Sequence, residues 1–144
     1  MEAFLSTKEL SSDSEELEIG DCVKLTGQIP NRQLPEMYRS SDCFVLPSDS
    51  ETFGVVYAEA AAIGLPIIAT KCGGPEDIVN VTNGLLVPLN DEKALCEAMG
   101  YIYDNIDKYS RKDISEDIRH KFSEEAVSER LFSLYRMILD GDSI

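Results

Sequence analysis

Short, continuous apolar segments alternate with helical patterns along most of this chain, and this alternation restricts the fold more than any other feature. The clearest apolar segments are residues 43–46, 66–69 and 84–87, and residues 22–26 form a weaker one. Strands that are apolar at nearly every position are typical of parallel sheets covered by helices on both faces. The sequence therefore predicts an α/β fold, a doubly wound parallel sheet of about four strands with flanking helices.

The helical patterns fall between and after these segments. The capping residues, prolines and apolar spacing predict helices over residues 30–40, 54–63, 75–80, 90–105, 110–119 and 123–139. Residues 1–20 are poorly patterned. The expected organisation is therefore an N-terminal segment, 1–20, followed by one domain, 21–144.

Composition excludes several classes of protein. The net charge of −14 argues against a general nucleic-acid or anionic-membrane surface, so no nucleic-acid partner is expected. No apolar run approaches the roughly 20 residues of a membrane span, and the first residues do not have the pattern of a secretory signal. The four cysteines are irregularly spaced, and Cys22 and Cys43 fall in predicted strands. Buried free thiols in a cytoplasmic protein are the expectation.

Two loops at the ends of predicted strands form the candidate site. Residues 48–54 and 71–75 both follow a strand and precede a helix, so both open onto the carboxyl edge of the sheet, where such folds bind ligands. Glu51 lies just before a helix whose first N–H groups, those of Phe53, Gly54 and Val55, suit an anion. Glu59 lies one to two turns into that helix, where a carboxylate can bind a diol. A sugar, a phosphate and a ribose could therefore bind along this edge.

Each of these residues also has a purely structural interpretation. A carboxylate before a helix is often only a dipole partner, and a helical glutamate such as Glu59 is usually solvated. Gly73 and Gly74 could form only a tight turn. Lys71 could contact a phosphate, but it could also be an ordinary surface lysine.

A series of motifs resembles one enzyme family. Residues 41–48 read Ser-Asp-Cys-Phe-Val-Leu-Pro-Ser, residues 51–54 read Glu-Thr-Phe-Gly and are followed by Glu59-Ala60, and residues 73–76 read Gly-Gly-Pro-Glu. With the blocks at 25–30, 34–38, 64–70 and 84–88, seven motifs occur in order. The series is similar to the C-terminal, donor-binding domain of retaining glycosyltransferases of the GT-B fold, the group 1 glycosyltransferases that include sucrose synthase, glycogen synthase and many mannosyltransferases. The resemblance runs from about residue 21 to the final helix.

The resemblance implies a Rossmann-like domain that binds a nucleotide sugar, and it gives roles to the two loops. Glu51 would be the catalytic residue, binding hydroxyls of the donor sugar and facing the charge that develops at the anomeric carbon. The other implied substrate-binding residues are Thr52, Phe53, Gly54 and Val55 for the sugar or diphosphate, Glu59 for the ribose hydroxyls, Gly73 and Gly74 beside the sugar, and Gly27 near the base.

The resemblance further implies transfer of a hexose from a UDP-, GDP- or ADP-sugar to a sugar, lipid or polyol acceptor. Such enzymes generally need no metal, so no metal ligand and no cofactor are expected. A cationic pair and a helix dipole would stabilise the leaving diphosphate instead.

The sequence also departs from the family pattern. The two strand–helix units that come first in the family domain, with their basic side chains, and the N-terminal acceptor domain are not in this sequence. They are therefore the expected partners besides the donor, and the chain alone is expected to be inactive and to bind a donor weakly or not at all. In the sheet order 3-2-1-4-5-6 the two absent strands would lie between residues 22–26 and 43–46. Self-association through the incomplete sheet is one expected outcome.

Other functions are compatible with the fold. The chain could be a non-catalytic α/β interaction module derived from the same domain. An inverting GT-B enzyme can share the architecture, although the spacing of Glu51 and Glu59 favours the retaining group. A dinucleotide-dependent enzyme is disfavoured because the sequence has no G-x-G-x-x-G fingerprint.

Overall fold

The structure, a computed structural model, describes residue 16 and residues 18–140. The chain divides into two compact units, Met1–Leu34 and Pro35–Ile144. Most of the predicted N-terminal segment, 1–20, lies outside the described residues. The described part of the first unit contains a short 3-10 turn, Asn31–Gln33, and no strand.

The predicted strand over residues 22–26 is wrong. All five residues are exposed, with Val23 at 42% and Leu25 at 39% of their full accessible surface. A strand needs a neighbour to pair its N–H and C=O groups, and these residues form no ladder within the described part of the chain. Cys22 is accordingly an exposed thiol, not the buried one expected, whereas Cys43 is partly buried.

A parallel sheet of three strands organises the second unit. The strands are β1 (Phe44–Leu46), β2 (Ile67–Thr70) and β3 (Gly84–Val87), in the order β1-β2-β3. Phe44 pairs with Ile67, and Ile67 pairs with Gly84. The predicted α/β fold with a parallel sheet is confirmed, but the described sheet has three strands rather than about four because residues 22–26 do not join it.

Helices flank this sheet and continue the chain beyond it. Their bounds are α1 (Leu34–Ser40), α2 (Val55–Ala62), α3 (Pro75–Ile78), α4 (Glu92–Asp104), α5 (Arg111–Phe122) and α6 (Glu124–Asp140). The side chain of Asp91 caps α4 by accepting a hydrogen bond from the N–H of Ala94 at 2.9 Å. Each of these helices begins within a few residues of its predicted start.

Side chains of β2 point alternately into two hydrophobic cores. Ile67 and Ala69 belong to one core, built with Tyr57 of α2, Ile78 of α3 and two isoleucines of α5. Ile68 belongs to the other core, which contains residues of β3 and α4. All four β2 residues are buried, as expected for the central strand of a sheet covered on both faces.

Polar contacts tie α5 to the elements behind the carboxyl edge. The hydroxyl of Ser115 donates to the carbonyl of Ala62, at the end of α2, at 2.6 Å. The guanidinium of Arg111 donates to the carbonyls of Arg39 and Ser41, just before β1. These bonds satisfy carbonyl groups that the ends of α1 and α2 leave without helical partners.

Residues 16 and 18–140 include no helix that combines the length and the apolarity needed to cross a membrane.

Candidate functional site

Two side chains, those of Tyr57 and Thr70, form hydrogen bonds with the loop between β1 and α2. The hydroxyl of Tyr57 lies 2.9 Å from the carbonyl oxygen of Leu46 and 3.3 Å from Oγ of Ser48. The hydroxyl of Thr70, at the end of β2, donates to the carbonyl of Ser48. The first residues of the loop are therefore fixed to the sheet and to α2 at the same time.

The phenol of Tyr57 is buried and protonated. Its side chain has no accessible surface, and this burial raises the pKa of the phenol above its ordinary value of 10.0, more than the hydrogen bond with Ser48 lowers it. The phenol therefore stays protonated near neutral pH. Because it carries one proton, donation to the carbonyl of Leu46 leaves its oxygen to accept from the hydroxyl of Ser48.

Gly54 provides the tight turn into α2. Its φ of +81° lies in the left-handed region, and it is the N-cap of the helix, which begins at Val55. A Cβ at this position would collide with the ring of Tyr57 and would lie 3.1 Å from Cγ of Glu51. The conformation and the space thus both require glycine.

Backbone hydrogen bonds join the two loops side by side. The N–H of Gly74 donates to the carbonyl of Glu51 at 2.8 Å, and the N–H of Glu51 donates to the carbonyl of Cys72 at 3.4 Å. A Cβ on Gly74 would lie 2.5 Å from the backbone of Phe53, so glycine allows this close approach. The two loops lie at one edge of the sheet, as the parallel topology implies.

The first turn of α2 leaves donors free for an acceptor. The N–H of Tyr57 donates to the carbonyl of Gly54 at 3.0 Å. Among the described residues, the N–H groups of Phe53, Gly54 and Val55 donate no hydrogen bond. Such groups at the positive end of a helix suit an anion, and Phe53 and Val55 are exposed whereas Gly54 is buried.

In the loop that contains Gly73 and Gly74, by contrast, the N–H groups already donate hydrogen bonds within the chain. The N–H of Gly73 donates to Oε1 of Glu76 at 3.2 Å, and that of Gly74 is used by Glu51. These two glycines therefore shape the edge of the site, and their N–H groups are already paired within the chain.

The side chains predicted to bind substrate differ in exposure. Glu51 is half-buried between the loops, while Thr52 and Glu59 are exposed. Glu59 lies near Tyr38: burial raises the pKa of that phenol above 10.0, and the charge of Glu59 raises it further. Gly27, in the first unit, is exposed with a φ of +62°.

Sequence analysis missed three contacts at this site. The ring of Phe53 packs edge-on against Phe122 of α5, with centroids 5.6 Å apart, so its side chain anchors the loop. The bonds of Tyr57 and Thr70 to the loop were missed too. A tyrosine within the run Val-Val-Tyr-Ala-Glu-Ala-Ala-Ala was the signal for one of them, since a buried phenol needs a partner.

Charge around the site is mostly negative. Lys71 is the one basic residue in residues 47–54 and 71–74, and it is exposed. Within the described ranges no group of three or more His, Cys, Asp or Glu side chains is placed to hold a metal ion. An anionic ligand here would depend mainly on backbone N–H groups.

Comparison with known proteins identifies a family. Residues 6–121 match the sequence profile of the family described as "Glycosyl transferases group 1". A D-inositol 3-phosphate glycosyltransferase of Corynebacterium jeikeium is 35% identical over 124 residues, which cover 85% of this chain and 30% of that protein.

Two solved structures superimpose on most of this chain. A sucrose-phosphate synthase from Thermosynechococcus elongatus superimposes with a TM-score of 0.78 and 32% identity, over 94% of this chain and 35% of that one. HepE of Anabaena, solved in complex with UDP, has a TM-score of 0.76 and 24% identity over 88% of this chain and 36% of that one, which shows a shared fold. The chain thus spans about a third of the length of these relatives.

Proposed function

The chain belongs to the group 1 glycosyltransferases, and from that premise we propose that it is the donor-binding portion of a retaining enzyme. That enzyme transfers a hexose from a nucleoside-diphosphate sugar to a sugar, lipid or polyol acceptor. The observation that supports the proposal is that the N–H groups of residues 53–55, at the start of α2, donate no hydrogen bond among the described residues, with Glu51 before them and Glu59 after them in the sequence.

Each part of the edge suits one part of such a donor. The N–H groups of Phe53, Gly54 and Val55 bind the diphosphate or the sugar. Glu51 accepts hydrogen bonds from sugar hydroxyls and stabilises positive charge at the anomeric carbon. Glu59, exposed on α2, binds the two ribose hydroxyls. The UDP complex of HepE, a structure of the same fold, supports a nucleotide ligand.

Donor binding is expected to be weak for this chain alone. Lys71 is the sole cation of the two loops, and the net charge of −14 repels a diphosphate. A Kd in the millimolar range corresponds to only about −4 kcal/mol. We therefore expect calorimetry to detect no micromolar binding of UDP-glucose.

Backbone amide NMR is the test suited to this range. Titration with UDP-glucose is expected to shift the amides of residues 53–55, 59 and 73–74 and to leave those of α4 unchanged. GDP-mannose and ADP-glucose serve as competing donors, and the largest shifts identify the base. Unchanged site amides with all three donors would refute the proposal.

Two variants and a matched control test the roles of Glu51 and Glu59 in donor binding. Glu51→Ala and Glu59→Ala are expected to weaken donor binding by roughly tenfold each, because a charged acceptor of hydrogen bonds is lost. Glu97→Ala is the control: it removes an exposed helical carboxylate of α4, whose ion pair with Lys93 at 3.7 Å is exposed on both sides. Equal effects from all three would indicate a general charge effect.

Metal independence is a separate part of the proposal. The donor-induced shifts are expected to be the same in excess EDTA and in excess magnesium. Shifts that appear only with magnesium would contradict it.

An interaction module is the second candidate, and one observation favours it. Helix α6 has no buried residue and exposes Phe132 at 74%, Tyr135 at 61% and Leu139 at 84% of their accessible surface. A surface of this kind can mark a protein interface. If Glu51→Ala and Glu59→Ala leave every ligand-induced thermal shift unchanged, this candidate replaces donor binding.

A further inference from the structure

Ser48 is one of the points at which the loop that carries Glu51 is attached to the fold. Two side chains from different elements bond to it: Tyr57 of α2 through the Ser48 hydroxyl, and Thr70 of β2 through the Ser48 carbonyl. Tyr57 also donates to the carbonyl of Leu46, the last residue of β1. Ser48 is thus the point where the ends of β1 and β2 meet the first turn of α2.

We propose that Tyr57 and Thr70 are positioning residues for the nucleotide-sugar site, holding the Ser48–Glu51 segment in the place from which Glu51 meets the donor. This inference rests on the proposed function. Neither residue faces the donor, because Tyr57 has no accessible surface and Thr70 has 4%.

The cost of losing either bond explains why two are present. Removing the hydroxyl of Tyr57 leaves the carbonyl of Leu46 and the hydroxyl of Ser48 without this partner in a partly buried site. The ring also fills the space beneath Gly54, so phenylalanine at position 57 keeps the packing and removes only the polar anchor. A loop that loses one of its anchors samples more positions.

The structure provides a reporter for this motion that needs no ligand. The N–H of Gly74 donates to the carbonyl of Glu51 at 2.8 Å, so its hydrogen exchange measures how firmly Glu51 is held. The N–H groups of Phe44 and Ile67, which bond across to Pro66 and Asn83 at 2.9 Å, report on the sheet. A positioning role changes Gly74 alone, whereas a loss of overall stability changes all three.

The experiment compares amide exchange in Tyr57→Phe and Thr70→Val with the unaltered chain. Exchange at Gly74 is expected to be faster by roughly three- to tenfold in each variant, with Phe44 and Ile67 unchanged. Thr70→Ser, which keeps the hydroxyl, is expected to restore slow exchange. If both variants fold and Gly74 exchanges as in the unaltered chain, the inference is refuted.

Tyr38→Phe is the matched control. Tyr38 is also buried, and its ring packs edge-on against Phe44 at 5.7 Å, as the ring of Tyr57 does. Among the described residues, its hydroxyl makes no hydrogen bond to the loop. Loss of this hydroxyl is expected to leave Gly74 exchange unchanged, and an equal acceleration would refute the inference.

A donor titration distinguishes the positioning role of Tyr57 and Thr70 from the proposed donor binding. Tyr57→Phe and Thr70→Val are expected to reduce the preference for UDP-glucose over UDP by roughly three- to tenfold, since Glu51 meets the sugar. If the unaltered chain binds and the variants bind equally well, the inference fails and the proposed function stands. If the unaltered chain shows no donor-induced shift, the proposed function fails, and the donor role of these residues fails with it.

Discussion

At the scale of single residues, Gly54 is the most constrained position of the site. Its left-handed φ and the ring of Tyr57 both exclude a side chain. Gly54→Ala is expected to destabilise the chain by about 2–5 kcal/mol, from backbone strain and crowding together. Urea denaturation measures the change.

Gly100 supplies the control for that substitution. It lies inside α4, and a Cβ there meets no atom within 4 Å. Gly100→Ala is expected to stabilise the chain by roughly 0.5–1 kcal/mol, because alanine favours the helix. Two substitutions of the same type therefore have opposite signs, and Gly54→Ala with unaltered stability would contradict the structure.

Cys43 is partly buried, whereas Cys22 and Cys96 are exposed. Burial raises the pKa of its thiol from 9.0 to about 11. Alkylation by iodoacetamide at pH 8 is expected to be at least about tenfold slower at Cys43 than at the exposed Cys22 and Cys96, because the Cys43 thiol is partly buried and almost wholly protonated at this pH. Mass spectrometry of peptides measures the rates, and denatured protein, in which all sites should react alike, is the control.

The raised pKa of the Cys43 thiol also predicts how the stability of the chain changes with pH. The protonated thiol of Cys43 is favoured in the folded state, so its contribution is complete below pH 9.0 and is lost as pH rises to about 11. Cys43→Ala is expected to lose less stability than the unaltered chain between these pH values.

At the scale of elements, protection should be highest in β2 and lowest in α6. Each β2 residue is buried between two cores, whereas none of the described α6 residues is buried. Hydrogen exchange detected by mass spectrometry is expected to show β2 peptides exchanging only on global unfolding and α6 peptides exchanging by local opening. Equal protection of the two would show that α6 is covered in solution.

Elements with local signals were predictable from the sequence. Residues 84–87 begin with glycine and are followed by proline, and β3 has those bounds. Residues 22–26 have a weaker apolar pattern that also predicts a strand, but they form none, because pairing depends on a neighbouring strand as well as on the segment itself. The adjacency of Glu51 and Gly73 followed from parallel topology. The contact of Phe53 with Phe122 did not, because nothing local indicates a partner 69 positions away.

At the scale of the whole molecule, charge is the dominant property. A net charge of −14 on 144 residues opposes the compact state through self-repulsion. Raising NaCl from low concentration to about 0.3 M, where the Debye length falls to roughly 6 Å, is expected to raise the Tm by roughly 2–5 °C. KCl should act equally, since screening depends on ionic strength, and a Tm that falls with salt would contradict this account.

The hydrogen bonds that fix the loop carrying Glu51 are accepted largely by main-chain atoms. Carbonyl groups of Leu46, Ser48 and Glu51 receive the bonds that fix it, while the side chains of Asp49, Ser50 and Thr52 are exposed. Replacing these three side chains would leave those hydrogen bonds intact. Substitutions there carry almost no folding penalty, so under the proposed function this edge is a suitable place for new donor specificities to evolve.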